Sequence, residues 1–334
     1  MHTKQKRNDG KERLTHSIYG TPEFAVGSLK LLVENGYNVV AVVTQPDKPV
    51  GRHGSVLRAS AVKEYALEHG LPVLQPIKMK DPEFIEQLRS YNADLQVVVA
   101  FRMLPEVVWD MPRFGTFNVH AALLPQYRGA APINWAVING ETKTGVTTFF
   151  LDHDIDTGRI IMQREFPIPD DADVEYVYDG LMELGAGICQ DTVDLVISTD
   201  GNVPSQPQRE DIELKVAPKI FKETCQIDWN KTAKQIYDFV RGLSPYPGTW
   251  TTLASNSETE KVEASVMKIF KTAKTGTNCT GVAPGTLKTE NSHLLVATND
   301  EWLDIVELQA SGKKRMAARD FLNGFKHIAE MHMK

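Results

Sequence analysis

At 334 residues, with 42% hydrophobic and 24% charged residues, the chain has the composition of an ordinary globular protein of about two domains. No apolar run approaches the ~18 residues that crossing a bilayer needs, and the opening MHTKQKRNDGKERLTHS lacks the apolar middle of a signal peptide. The net charge of −6 argues weakly against nucleic acid, but it is unevenly spread: residues 206–334 hold 18 Lys+Arg against 16 Asp+Glu, so the earlier part carries the whole deficit. A polyanion touching mainly the second part is compatible with that split, and so is ordinary surface variation.

From Leu14 the pattern alternates strand and helix. Residues 14–19 read as a strand, and GTPEFAVGSLKLLVENG as a helix capped by Thr21, with Pro22 at its first position and Phe24, Leu29, Leu32 and Val33 facing inward. The β-branched run 38–45 suits a strand buried on both faces of a parallel sheet. A long Pro- and Gly-rich loop follows at 46–60, then a helix at 60–69, a short strand at 72–76, an acid-capped helix at 81–92 and a buried strand at 95–101. This alternation predicts a Rossmann-like, doubly wound α/β sheet with right-handed crossovers. The GxGxxG fingerprint is missing, since Gly20 is the only glycine in the first strand–helix turn, so nothing supports a dinucleotide. The site is still expected at the carboxyl ends of the strands.

The fifth strand, 117–122, is FNVHAA. Asn118 and His120 are two apart and project from one face. Polar side chains in an apolar strand need partners or a task, because burying each unpaired costs roughly 1–3 kcal/mol. A helix is expected at 129–140, strands at 144–152 and 159–168 on either side of the turn DIDTG, and a helix at 174–199. Asn118, His120 and Asp156 of that turn compose the sharpest constellation. A carboxamide N–H can stabilise a developing oxyanion, an imidazole can relay protons, and a carboxylate can orient the imidazole. Acyl-group transfer is one reading; a hydrogen-bonded core Asn and His is the other. His153, Asp154 and Asp156 in one turn, without a distant ligand, are a poor metal site, and none is expected. LLPQYRG (123–129) either lines a ligand pocket or is a strand-to-helix turn held by Arg128.

Residues 202–219, polar and with three prolines, read as a linker. A helix at 230–242 and five strand-like runs (249–254, 262–272, 285–290, 293–298 and 302–309) suggest a small OB-like barrel, followed by SGKKRMAARDFLNG ending in a helix. Lys313, Lys314 and Arg315 are either a solvated face or a nucleic-acid contact.

GTPEFAV (20–26), TQPDKPVGR (44–52), NVHAALLPQYRGAAPIN (118–134), IDTG (155–158), IDW (227–229), SPYPG (244–248) and LQASGKKRMAARDFLNG (308–324) together resemble the methionyl-tRNA formyltransferase family, a branch of the folate-dependent formyltransferases. The resemblance covers nearly the whole chain from about Leu14. It implies a catalytic domain at 14–201, a linker at 202–219 and an OB-like tRNA-binding domain at 220–334; residues 1–13, polar and basic, read as a disordered extension. It also implies transfer of the formyl group of 10-formyltetrahydrofolate to the α-amine of methionyl initiator tRNA, without a metal. Asn118, His120 and Asp156 fall on the catalytic trio. Ala122, Leu123, Leu124 and Pro125 fall on the folate segment, with Ala122 where the family usually has Ser. Arg52 falls on a loop reaching the tRNA acceptor end, where Arg58 shares the role because the family's lysines are missing here. Lys313, Lys314 and Arg315 fall on the tRNA-facing side of the barrel. The cysteines Cys189, Cys225 and Cys279 are far apart with no zinc spacing, so a reducing cytoplasm is expected, as is a monomer. Competing readings are a formyltransferase for a small amine (a sugar nucleotide or purine precursor), a formyltetrahydrofolate hydrolase, and a non-catalytic RNA-binding protein.

Overall fold

The computed structural model describes residues 11, 14–50, 56–256, 264–325 and 327–334. The chain divides into two compact units: residues 1–129, 144–167 and 178–216, and residues 130–143, 168–177 and 217–334.

The first unit is built on a seven-stranded sheet. Its strands and helices run β1 (Thr15–Gly20), α1 (Glu23–Glu34), β2 (Asn38–Val43), a hairpin of β3 (Lys48–Val50) and β4 (Val56–Arg58), α2 (Ala61–Glu68), β5 (Val73–Leu74), α3 (Pro82–Ser90), β6 (Leu95–Val99), α4 (Glu106–Trp109) and β7 (Thr116–His120). After β8 (Arg128–Gly129), and after α5 (Pro132–Ile138), which belongs to the second unit, come β9 (Lys143–Phe150), β10 (Ile160–Pro167) and the long helix α6 (Val174–Ser198), whose first residues also belong to the second unit. The order β10-β9-β7-β6-β1-β2-β5 puts β1 between β2 and β6, both parallel to it. The chain winds outward from β1 in both directions, as the doubly wound expectation required, so a topological switch point lies between β1 and β6. β9 turns back antiparallel to β7, with Thr147 opposite His120 and Phe149 opposite Asn118.

Two local expectations are corrected. Thr21 does not cap α1: the cap residue is Pro22 without a side-chain bond, and the hydroxyl of Tyr178 accepts from the Phe24 N–H at 3.0 Å. A tertiary partner from α6 thus does the work that a local Thr was expected to do. The stretch 46–60 is not all loop, because β3 and β4 pair antiparallel, Lys48 opposite Arg58. Its base is tied down by Asp47, which accepts from Lys63 at 2.7 Å and Gln75 at 2.8 Å, and by Ser60 and Thr44, whose hydroxyls meet at 2.7 Å.

The second unit holds a nearly closed antiparallel barrel. The helix α7 (Ala233–Leu243) starts at Thr232 in a capping box with Gln235, after the short β11 (Val216–Ala217). The strands β12 (Thr249–Ser255), β13 (Ser265–Asn278), β14 (Leu287–Glu290), β15 (His293–Ala297) and β16 (Glu301–Ala310) follow; β17 (Met316–Ala317) and α8 (Ala318–Gly324) precede β18 (Met331–Met333). The sheet order is β14-β15-β16-β13-β12-β18. Closure comes from the end of the chain: the Met333 N–H donates to the Gly285 carbonyl at 2.9 Å, and Thr286 bridges His332. β18 was not expected, since three residues, MHM, carry too little periodicity to read. Ile236 and Val240 of α7 pack with Ile269, Leu294, Leu303 and Ile305 as the core. No helix among the described residues is long and apolar enough to cross a membrane.

Candidate active site

The alternation of β7 buries Phe117 and Val119 on one side and turns Asn118 and His120 to the other. His120 is 6% exposed. Its Nε2 lies 2.9 Å from the Tyr127 carbonyl oxygen. A carbonyl only accepts, so Nε2 carries the proton and Nδ1 is the nitrogen left for chemistry. Nδ1 faces the Asp156 carboxylate, with Oδ2 at 3.9 Å. The structure therefore brings together two residues 36 positions apart in sequence, in the orientation that leaves Nδ1 between imidazole and carboxylate. Asn118, one pleat earlier, has its Oδ1 buried with no hydrogen-bond partner among the described residues.

Asp156 is held from several directions. Its backbone has φ +58°, a left-handed conformation that Asp tolerates better than most residues. Its Oδ2 accepts from the Gly129 N–H at 2.9 Å. The turn is closed by Asp152 Oδ1, which accepts from the Thr157 hydroxyl at 2.7 Å and the Asp154 N–H at 3.2 Å. Gly158 is required here: a Cβ on it would lie 1.7 Å from the Phe150 carbonyl oxygen. Asp154 and His153 do not join the pair. Asp154 is exposed, and His153 Nδ1 sits 3.8 Å from Glu106. Among the described residues no group of three or more His, Cys, Asp or Glu could hold a metal ion.

The segment after β7 is knotted to β9 through one hydroxyl. Thr147 Oγ1 donates to the Ala122 carbonyl at 2.7 Å and accepts from the Leu124 N–H at 3.1 Å and Gln163 Nε2 at 2.9 Å. Gln163 also donates to the Leu124 carbonyl at 2.8 Å. Ala122 and Leu124 are buried, and Leu124 packs on Phe149 and Ile160. Leu123 and Pro125 are the half-exposed members. Arg128 binds no acid in this segment; its Nε and Nη2 donate to Gln208 Oε1 at 3.0 and 2.7 Å.

Two features escaped sequence reasoning. Gln208, in the stretch read as a linker, is buried and bonded to the Asp156 turn. Its signal was a lone Gln in a polar run, which has no pattern to detect. An apolar groove of ≈ 570 Å³ lies in the loops after β5 and β6, lined in part by Met79, Met103, Leu104 and Val107. Arg102 joins those loops by donating to the Ile77 carbonyl at 2.9 Å and to the Pro76 carbonyl. The groove stands near the carboxyl ends of strands, where ligands of open α/β sheets bind.

Of the remaining sequence candidates, Arg52 lies outside the described residues. Arg58 is exposed on β4. Lys313, Lys314 and Arg315 are exposed between β16 and β17. Arg315 pairs with Glu307, Nε to Oε2 at 2.9 Å, and its guanidinium lies 4.6 Å over the Phe270 ring.

Known proteins place this architecture. The family model of the formyl transferases matches residues 13–193, and that of the formyl transferase C-terminal domain matches residues 219–326. The chain belongs to the formyl transferase family. Within it, the similarity narrows to one kind of enzyme. The chain is 59% identical over 325 residues to a methionyl-tRNA formyltransferase of Parabacteroides distasonis, covering 96% of this chain and 98% of the relative. It is 56% identical over 324 residues to that of Bacteroides fragilis, covering 96% and 97%. Solved structures share the fold at low identity. An N-formyltransferase from Helicobacter canadensis, in complex with folinic acid and dTDP-3-aminofucose, superposes with a TM-score of 0.63 at 19% identity over 91% of this chain and 100% of that chain. HypX from Aquifex aeolicus, in complex with tetrahydrofolic acid, gives a TM-score of 0.56 at 18% identity over 93% of this chain and 47% of that one.

Proposed function

We propose that this chain transfers the formyl group of 10-formyltetrahydrofolate to the α-amine of methionyl initiator tRNA. The observation that carries the chemistry is the pairing of His120 Nδ1 with Asp156 Oδ2, one pleat from the unpartnered Asn118 Oδ1. The acceptor is argued from relatives named methionyl-tRNA formyltransferase at 44–59% identity over nearly the full chain. A small amine acceptor is disfavoured: the sugar formyltransferases that share the fold are only 16–22% identical, which speaks to the fold alone. The formyl donor is argued from the family and from the folates named in complexes of structural neighbours.

The neutral amine attacks the formyl carbon and a C–N bond forms, leaving negative charge on the formyl oxygen. The Asn118 carboxamide N–H donates to that oxygen, as does the Nδ1–H of the imidazolium form of His120. The Asn118 Oδ1 has no donor among the described residues, so an N–H of the incoming amine can satisfy it. Asp156 accepts the proton that the amine nitrogen loses, and its charge holds the His120 imidazolium in place. Collapse restores the carbonyl and breaks the bond to the donor nitrogen, which takes up the proton that Asp156 accepted. The separation of 3.9 Å is longer than a hydrogen bond; catalytic contacts commonly tighten when substrate binds. Leu123 and Pro125 border the donor, and the groove at Met103 and Leu104 has the polarity of a wall for its flat ring. Arg52, Arg58, Lys313, Lys314 and Arg315 meet the tRNA. The enzyme acts as a monomer in the cytoplasm without a metal, and its three buried free thiols suit a reducing compartment. Incubation with formyltetrahydrofolate and either methionyl-tRNA or a small amine, followed by mass analysis of the acceptor, tests the assignment: formyl on the methionyl amine supports it, and formyl on a small amine or in water contradicts it.

A further inference from the structure

Gln208 uses its whole hydrogen-bonding capacity on the site. Its Nε2 donates to two backbone carbonyls, that of Asp156 at 2.8 Å and that of Gly158 at 2.9 Å. Its Oε1 accepts twice from Arg128, Nε at 3.0 Å and Nη2 at 2.7 Å. A primary carboxamide has two donors and two acceptor lone pairs, so all four are filled. The orientation of the amide is unambiguous, because carbonyls only accept and guanidinium only donates. The side chain is 9% exposed. Its own segment is tied to β10 two residues earlier, where Gln206 and Ile160 exchange N–H···O bonds at 2.8 and 2.9 Å.

The two carbonyls it binds belong to the residue with the left-handed backbone, Asp156, and to the glycine that must lack a Cβ. The arginine it binds precedes Gly129, whose N–H holds the Asp156 carboxylate. One side chain therefore joins the backbone of the carboxylate to the segment that fixes the carboxylate's oxygen. We propose that Gln208 is a positioning residue for formyl transfer: it locks Asp156 in the left-handed conformation that aims Oδ2 at His120 Nδ1. The proposal rests on the reading of Asp156 as the carboxylate of the reaction. A unit of this kind needs rigidity more than strength, since a misplacement near 1 Å can cost ~10²-fold in rate.

Substitution distinguishes this role from mere support of the fold. Gln208→Leu removes all four bonds. Gln208→Glu keeps the acceptors for Arg128 but sets a carboxylate oxygen against two carbonyl oxygens, so it is not a rescue. Both are measured in the wild-type chain and with Asp156→Asn, for kcat, KM for methionyl-tRNA and melting temperature. The expected result is a fall in kcat of about 10-fold or more for each single variant, with KM within about two-fold. In the Asp156→Asn background the further loss is less than about two-fold, because the group being positioned is already gone. Unchanged kcat in Gln208→Leu overturns the proposal, and so does an equal loss in both backgrounds, which marks general support. If Gln208→Leu does not fold, Gln208→Glu decides by the same cycle, and failure of both to fold counts against a role specific to catalysis. Normal turnover of Asp156→Asn alone instead removes the underlying reading of Asp156.

Discussion

The Nε2 of His120 donates to the backbone carbonyl of Tyr127, seven residues along the chain, at 2.9 Å. That single bond chooses the tautomer and turns Nδ1 toward Asp156. Tyr127 itself sits at φ +60°, so the loop is bent to deliver the carbonyl. Removing the imidazole in His120→Ala therefore acts twice. Turnover is expected to fall by ~10²-fold or more from lost acid–base and oxyanion roles. Stability is expected to fall by ~1–3 kcal/mol, because a buried, hydrogen-bonded ring is removed. Steady-state kinetics and urea denaturation of the same preparation read both effects.

Asp156→Asn separates chemistry from structure more cleanly. The amide oxygen can still accept from Gly129, and Asn adopts left-handed backbone as readily as Asp. The melting temperature is expected to stay within about 2 °C of wild type, while turnover drops by ~10²-fold or more. A normal rate in this variant would show that the carboxylate is dispensable.

The basic triplet is not uniform. Arg315 is already paired with Glu307 and laid on Phe270, whereas Lys313 and Lys314 form no ion pair among the described residues. A charge neutralised within the protein releases fewer counterions on binding a polyanion. Replacing Lys313 and Lys314 together by Gln is expected to make the slope of log K against log salt shallower by about 1–2. Arg315→Gln is expected to change it by about half a unit or less. Filter-binding titrations of methionyl-tRNA over a range of salt measure both slopes.

His16 makes stability depend on pH. The ring is fully buried in β1, with Nδ1 3.4 Å from the Asn38 carbonyl and Nε2 without a partner among the described residues. Burial pushes its pKa below 6.5, and this outweighs the bond to Asn38 and the nearby Asp94, which act the other way. The unfolded chain therefore binds the proton first as pH falls. The contribution to stability is complete above pH 6.5 and declines as the pH drops through 6.5 toward the lower folded value. Urea midpoints should fall on that interval, with a slope of up to ~1.4 kcal/mol per pH unit from this residue. His16→Phe should remove that part of the slope; an unchanged slope would assign it to other groups.

Much of this site was readable because its parts are local. Asn118 and His120 stand two apart in an apolar strand, and an alternation of two is enough to put them on one face. IDTG announced a carboxylate in a glycine turn, and the steric demand at Gly158 explains why that turn cannot vary. The parallel sheet followed from strand–helix alternation. What resisted reading was nonlocal. Tyr178 capping α1, the closure of the barrel by Met333, and Gln208 bonded to Arg128, Asp156 and Gly158 each join segments far apart by a few bonds, and no periodicity reports such bonds. The segment 122–125, proposed to border the formyl donor, illustrates the limit from the other side. Its four residues are adjacent in sequence, yet two are buried in support of the sheet and two are half-exposed, a division set by Thr147 on a neighbouring strand.

The central claim is that His120 and Asp156 act as a pair on a methionyl amine. Single-turnover formyl transfer with labelled formyltetrahydrofolate and methionyl-tRNA, compared among wild type, His120→Ala, Asp156→Asn and the double variant, tests it most directly. The account predicts formylmethionyl-tRNA as the labelled product of the wild type, and a double variant no slower than about three-fold below the worse single variant. Losses that multiply in the double variant, or label that never reaches the methionyl amine, would contradict it.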